Sequence, residues 1–238
     1  MPATRPAGDA GGADPAVTAA LAAYAAGAAT EHAVLTAVAA SRLLVPVVAV
    51  LAEANAEGTV PPAPASARSG SGSEPPAPAP AHSGSGSEKE TEMALPTLIG
   101  NDGRKAVIAF TGTDTVRRWR ADARPVPVPA SRLWPAVAAE QADAVVIDVA
   151  GPVPLVVEGA RLRALASGAP VPLPHEDPDI RAQVAAVTGN FTLGPGGQDA
   201  ELTVTVKTQD LTAARAAAEA IAARLAPRLR RGIAFRIG

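Results

Sequence analysis

General acid–base chemistry near neutral pH turns first to histidine, and this chain has three, at positions 32, 82 and 175. One run of titratable groups is His175-Glu176-Asp177-Pro178-Asp179. It contains metal-ligand residue types, but consecutive side chains on one loop do not converge on an ion without ligands from elsewhere. The same five residues fit a helix start, with Asp177 as N-cap, Pro178 at the first helical position and Asp179 at the positive end of the dipole. With no cysteine in the sequence, disulfides, thiolate catalysis and cysteine-based metal centres are excluded. LGPGGQ at 193–198 lacks the Lys-Ser/Thr of a phosphate loop and leads into a strand, so it reads as a hairpin loop. Serines flanked by glycines occur at 69–73 and 83–87, outside any strand-to-helix elbow that would make one a nucleophile. The expectation is a non-enzymatic protein with no metal and no cofactor.

Two basic clusters remain. Arg117, Arg118, Arg120 and Arg124 surround Trp119, and Arg224, Arg228, Arg230 and Arg231 lie near the C-terminal end. The second follows in part from the preference of cations for helix C-termini. A net charge of -2 gives no general attraction to phosphate backbones or anionic lipid, which argues against nucleic acid as a partner. The expected partner is another protein, acidic where it docks. The candidate surface is the turn Asp102-Gly103-Arg104 with Arg117, Arg118, Trp119 and Arg120. A rival reading is a small-molecule binder or weak enzyme, with a pocket between two modules using Asp148, Glu158 or His175 as polar groups.

These residues need elements to hold them. From Pro15 the apolar spacing of Val17, Leu21 and Tyr24 predicts a helix stopped at Gly27. A second helix runs from a Thr30 cap to Ala40, presenting Val34, Leu35 and Val38. LLVPVVAVL (43–51) reads as a strand that Pro46 keeps off a central position. The run 33–52 has about the length of a membrane span, but Arg42 at its middle disfavours insertion. MALPTLIG and AVIAFTG predict a hairpin about Asn101-Asp102-Gly103. Thr113 or Asp114 can cap a short helix with Val116 and Trp119 on one face. RPVPVP (124–129) is extended, Pro135 suits the first turn of a helix, and AVVIDVAG (144–151) suits a buried strand. LVVEG and ARLRALA follow. From about Val171 the order is helix, two strands, a long helix with a stripe of Leu211, Ala214, Ala218, Ile221 and Leu225, and a last strand, GIAFRI.

Between these elements, PPAPASARSGSGSE (61–74) is followed at once by PPAPAPAHSGSGSE (75–88), a tandem 14-residue repeat differing only at Ser66 versus Pro80 and Arg68 versus His82. Pro-Ala runs favour extended polyproline II and Gly-Ser runs are flexible, so the repeat is a spacer by composition. Residues 15–60 alone hold too little apolar surface for a core. The spacer is therefore expected inside the first module, lengthening a loop between two paired strands, because closure entropy grows only logarithmically with length. The expected organisation is a disordered tail at 1–14, an α+β domain at 15–168 with a disordered insertion at 61–90, and a C-terminal α+β domain at 171–238. The fold class is α+β: two small modules with mixed or antiparallel sheets. The N-terminal residues lack the basic flank and apolar stretch of a signal peptide, which points to the cytoplasm.

SRLLVPVV, ALPTL with NDGRKAVIAFTG, Trp119 and GPVPLVVEGARLRALA together resemble the N-terminal domain of the SseB-like family, named for enhanced serine sensitivity. The similarity covers roughly 16–167, and the last segment looks like the smaller C-terminal domain of some members. The resemblance implies an α+β fold and carries over no catalytic residues.

Overall fold

A computed structural model of the chain describes residues 11–47, 97–100 and 102–238. The two copies of the repeat, the end of the predicted 43–51 strand and Asn101 lie outside the described residues.

The first two helices form as their sequences dictate. Helix α1 (Pro15–Ala25) starts on Asp14, whose side chain accepts from the Ala16 N–H, and buries Val17, Leu21 and Tyr24. Beyond its end Gly27 adopts φ +70°, a left-handed conformation that costs other residues a Cβ clash. Helix α2 (Glu31–Ala40) is capped by Thr30 and buries Val34, Leu35 and Val38. Residues 11–14, read as the end of a loose tail, are tied down: the Gly11 carbonyl accepts from the Thr113 N–H at 2.9 Å, and the Gly12 carbonyl accepts from Arg42.

Three sheets follow among the described residues. Strand β1 (Arg42–Val47) pairs antiparallel with β4 (Arg124–Pro129) as a two-stranded ribbon. Pro46 faces Pro125 across it, so the two residues that cannot donate share one ladder position. Strands β2 (Thr97–Ile99), β3 (Lys105–Ala109), β5 (Ala144–Ile147) and β6 (Leu155–Glu158) form a sheet in the order β2-β3-β5-β6. Its central pair β3/β5 is parallel and its outer pairs antiparallel. A parallel pair needs a crossover, and here α3 (Thr113–Trp119), β4 and α4 (Ala130–Ala139) supply it. The strands flanking the repeat, expected from the sequence to pair with each other, do not: β1 joins β4 and β2 joins β3.

Helix α5 (Gly159–Ser167) packs on α4 and its apolar side completes a core with Leu43, Val107, Val145, Trp134 and Leu162. A smaller cluster of Leu44, Ile108, Phe110 and Val116 lies beside it. In the last segment α6 (Pro178–Ala185) and α7 (Leu211–Leu225) accompany a sheet ordered β7-β8-β9, from Phe191–Pro195, Leu202–Val206 and Ile233–Ile237. Leu202, Val204 and Val206 are buried with Ile180, Ile221 and Leu225. Helix α7 buries Ala214, Ile221 and Leu225, but Leu211 at its first position is 69% exposed. The architecture is α+β with mixed and antiparallel sheets.

Local readings fail in three places. Pro135 sits inside α4 rather than in its first turn, since the helix begins at Ala130. The Pro135 side is exposed, so Pro135→Ala restores one helix hydrogen bond without disturbing the core. It should raise stability by about 1–2 kcal/mol, the helix gain less the lost stiffness of the unfolded chain; chemical denaturation measures this, and an unchanged midpoint would mean the helix bends to absorb the proline. Gly112, not Thr113 or Asp114, occupies the N-cap of α3. A Cβ on Gly112 would lie 2.8 Å from the Ala13 backbone nitrogen, so the N-terminal segment's close approach demands glycine there. Strand β5 stops at Ile147, short of the apolar run, because Asp148 turns the chain with φ +52°.

Candidate functional site

The turn of the predicted surface is built as a β-hairpin end. Gly103 takes φ +78°, Asp102 Oδ1 accepts from the Arg104 N–H at 3.1 Å, and Arg104 Nη2 pairs with Glu158 Oε2 at 2.6 Å. The arginine helix α3 begins beyond the other end of β3. Val116 is buried under it, and the Trp119 ring lies 5.5 Å from that of Phe110. The Arg120 guanidinium stands 5.8 Å over the Trp119 ring and also binds the Asp122 carboxylate. Arg117 reaches Asp114 at 3.8 Å, and Arg118 has no ion pair among the described residues. Strand β3 separates turn from helix by five residues, roughly 16 Å. Arg117, Arg118, Trp119 and Arg120 thus come together, while Asp102, Gly103 and Arg104 stand apart.

The rival set is scattered. Glu158 is taken by Arg104, and His175 lies 3.9 Å from Glu176. Asp148 is 3% exposed; its Oδ1 accepts from the Thr111 N–H at 2.9 Å and its Oδ2 from the Thr111 hydroxyl at 2.6 Å. Asp148 also continues the parallel pairing, its N–H donating to the Ala109 carbonyl at 2.9 Å. It lines a cleft of about 330 Å³ at the carboxyl ends of β3 and β5, against α1 and α3.

Where the C-terminal segment meets α2 and α5, the space is only about 10 Å³, room for about one water. Charge fills it instead. Glu31 on α2 bonds Arg161 on α5 through Oε1 and Arg228 through Oε2, the latter at 3.1 Å. Arg228 Nη2 continues to Asp177 Oδ2 at 2.6 Å. Glu31, Arg161 and Asp177 are 5%, 3% and 1% exposed. Two cations and two anions balance, which is how buried charge is tolerated. Burial pushes the Arg161 pKa down, with Glu31 opposing. Asp177 also caps α6, accepting from the Asp179 N–H at 2.8 Å, as its place before Pro178 predicts. Tyr24 joins from α1, its hydroxyl donating to the Pro227 and Arg228 carbonyls with Arg230 stacked 4.9 Å over its ring. The sequence separates Glu31 from Arg228 by 197 positions and Tyr24 from Arg228 by 204, and nothing in local spacing signals that they meet.

Glu201 is the other buried carboxylate of this region. Oε1 accepts from the Arg231 N–H at 2.9 Å, while Oε2 is buried with no partner among the described residues. Burial raises its pKa, the Arg231 N–H opposing. A raised carboxylate pKa means the fold is least burdened below the ordinary glutamate range, about 4.3, and loses stability as pH climbs through the higher folded value. Glu201→Gln is therefore expected to be more stable than the parent at pH 8, the difference closing toward pH 4. Denaturation at both pH values tests it; a difference that ignores pH counts against the protonation account.

Residues 17–164 match the SseB protein N-terminal domain. The chain belongs to the SseB family. The matched SseB segment runs from within α1 to within α5 and so includes β1 to β6, α3 and all of the Asp148 cleft lining but Ala13. It stops short of residues 171–238, so the C-terminal sheet lies outside the SseB match. No curated protein and no solved structure matches the chain. Among the described residues no helix of this SseB-family chain is long and apolar enough to cross a membrane, and no group of acidic or histidine side chains is placed to hold a metal ion.

Proposed function

We propose that the protein is a non-enzymatic, cytoplasmic interaction protein of the SseB family that docks another protein through α3. The observation supporting this is the set Arg117, Arg118 and Arg120 on one short helix, with Trp119 anchored on Phe110. Arginine beside a fixed aromatic ring is a common anchor of protein interfaces. Four arginines at 117, 118, 120 and 124 exceed the nearby Asp114 and Asp122, so the complementary partner surface is acidic.

The test is affinity purification from the native cell, comparing the parent chain with the Arg117→Glu/Arg120→Glu double variant. A specific partner retained by the parent and lost by the variant, with its recovery falling as salt rises, supports α3 docking. A partner held equally by both, or none held by the parent, overturns it.

A further inference from the structure

We propose that the cleft at the carboxyl ends of β3 and β5 binds a small protonated amine with an apolar body. Its position is the first reason. In sheets with parallel strands, ligands bind outside the carboxyl ends where neighbouring connections diverge, and here the chain leaves β3 for α3 but leaves β5 for β6. The volume of about 330 Å³ is within the range of small-molecule sites. Asp148 holds the floor in a left-handed conformation at φ +52°, a strain that a non-glycine residue keeps only where its surroundings impose it.

The polarity of the lining selects the ligand class. Each hydroxyl in the cleft has its proton committed: Thr18 donates to the Asp14 carbonyl, Thr111 to Asp148, and Thr115 to the Gly112 carbonyl. What these groups offer a ligand is lone pairs. Asp148 uses two of its roughly four acceptor positions on Thr111, and Asp114 adds a second carboxylate. Among the described residues Arg118 is the one cationic side chain of the lining, and the Arg42 guanidinium next to it is taken up by the Thr111 and Gly12 carbonyls. The lining is thus rich in acceptors and its own described side chains, Asp114 and Asp148 against Arg118, leave an excess of negative charge, which favours a donor-rich cation over a carboxylate. Leu21, Pro152 and Val153 supply an apolar wall for its body.

Calorimetric titration of the purified full-length chain at pH 7 with phenylethylamine, 2-phenylethanol and phenylacetate tests the polarity directly. The amine is expected to bind saturably, at least tenfold more tightly than the acid, with the alcohol between. Asp148→Asn and Asp114→Asn should weaken the amine, and Arg118→Gln should tighten it roughly threefold by removing a like charge. Ala22→Trp, at an exposed position on the rim, should block binding altogether. Asp114, Arg118 and Ala22 are exposed, so those variants carry the test if Asp148→Asn fails to fold. Acid binding as tight as amine, equal binding by Ala22→Trp, or no saturable binding of the amine up to about 10 mM overturns the proposal. None of these readouts involves a protein partner, so this site and α3 docking stand or fall separately.

Discussion

Glu31→Ala is expected to lower the stability of the folded chain by about 3–5 kcal/mol, the largest loss foreseen for any single polar side chain here. Arg161 and Arg228 would be left with like charges in a space of about 10 Å³, and Arg161, whose Nε already lacks a partner among the described residues, would keep only the Val156 carbonyl at 3.3 Å. The comparison with a joint Glu31→Leu/Arg161→Met replacement is informative. Removing both charges of a buried pair costs less than removing one, and Arg228 retains Asp177. Equilibrium denaturation in urea measures both; a loss below about 1 kcal/mol for Glu31→Ala would mean the arginines reach water.

Gly159→Ala is expected to cost about 3 kcal/mol by two separable routes. Gly159 takes φ +60°, and a Cβ there would stand 2.1 Å from Asp179 Oδ2. The left-handed backbone alone costs an alanine about 1–2 kcal/mol. Displacing Asp179 breaks its hydrogen bond from the Ala160 N–H, 2.7 Å long, a charge-assisted bond of about 1.5–3 kcal/mol. In an Asp179→Ala background the same change should cost only the backbone part. Purely additive losses would show that the carboxylate moves aside freely.

That contact also marks the boundary of what the sequence made legible. Helices α1, α2 and α6, the β2–β3 hairpin and the alternation in β8 were open to reading because their causes are local: a capping Asp or Thr, a glycine at a turn, apolar residues at the right period. Pro135 misleads because the Ala130–Trp134 segment, with Leu133 and Trp134 buried, draws the helix start one turn upstream; packing outweighs propensity. Asp179 reads as an ordinary acid in the first turn of α6, and it serves there, yet its carboxylate also caps α5, whose own N-cap residue Glu158 turns its side chain to Arg104 and makes no capping bond. From sequence Asp148 reads as a polar group of a space between two modules, whereas parallel pairing of β3 and β5 carries it to another cleft. Such placements depend on which strands pair, a long-range outcome that no window of sequence holds.

The same carboxylates set a limit on cutting the molecule. The segment matched to the family ends at residue 164, yet the partner that satisfies Glu31 Oε2 is Arg228 and the group that closes the start of α5 is Asp179. A fragment trimmed at the family boundary would carry an acid and a helix end made for chain it no longer contains. The folded unit that these contacts hold together is longer than the segment the family match covers.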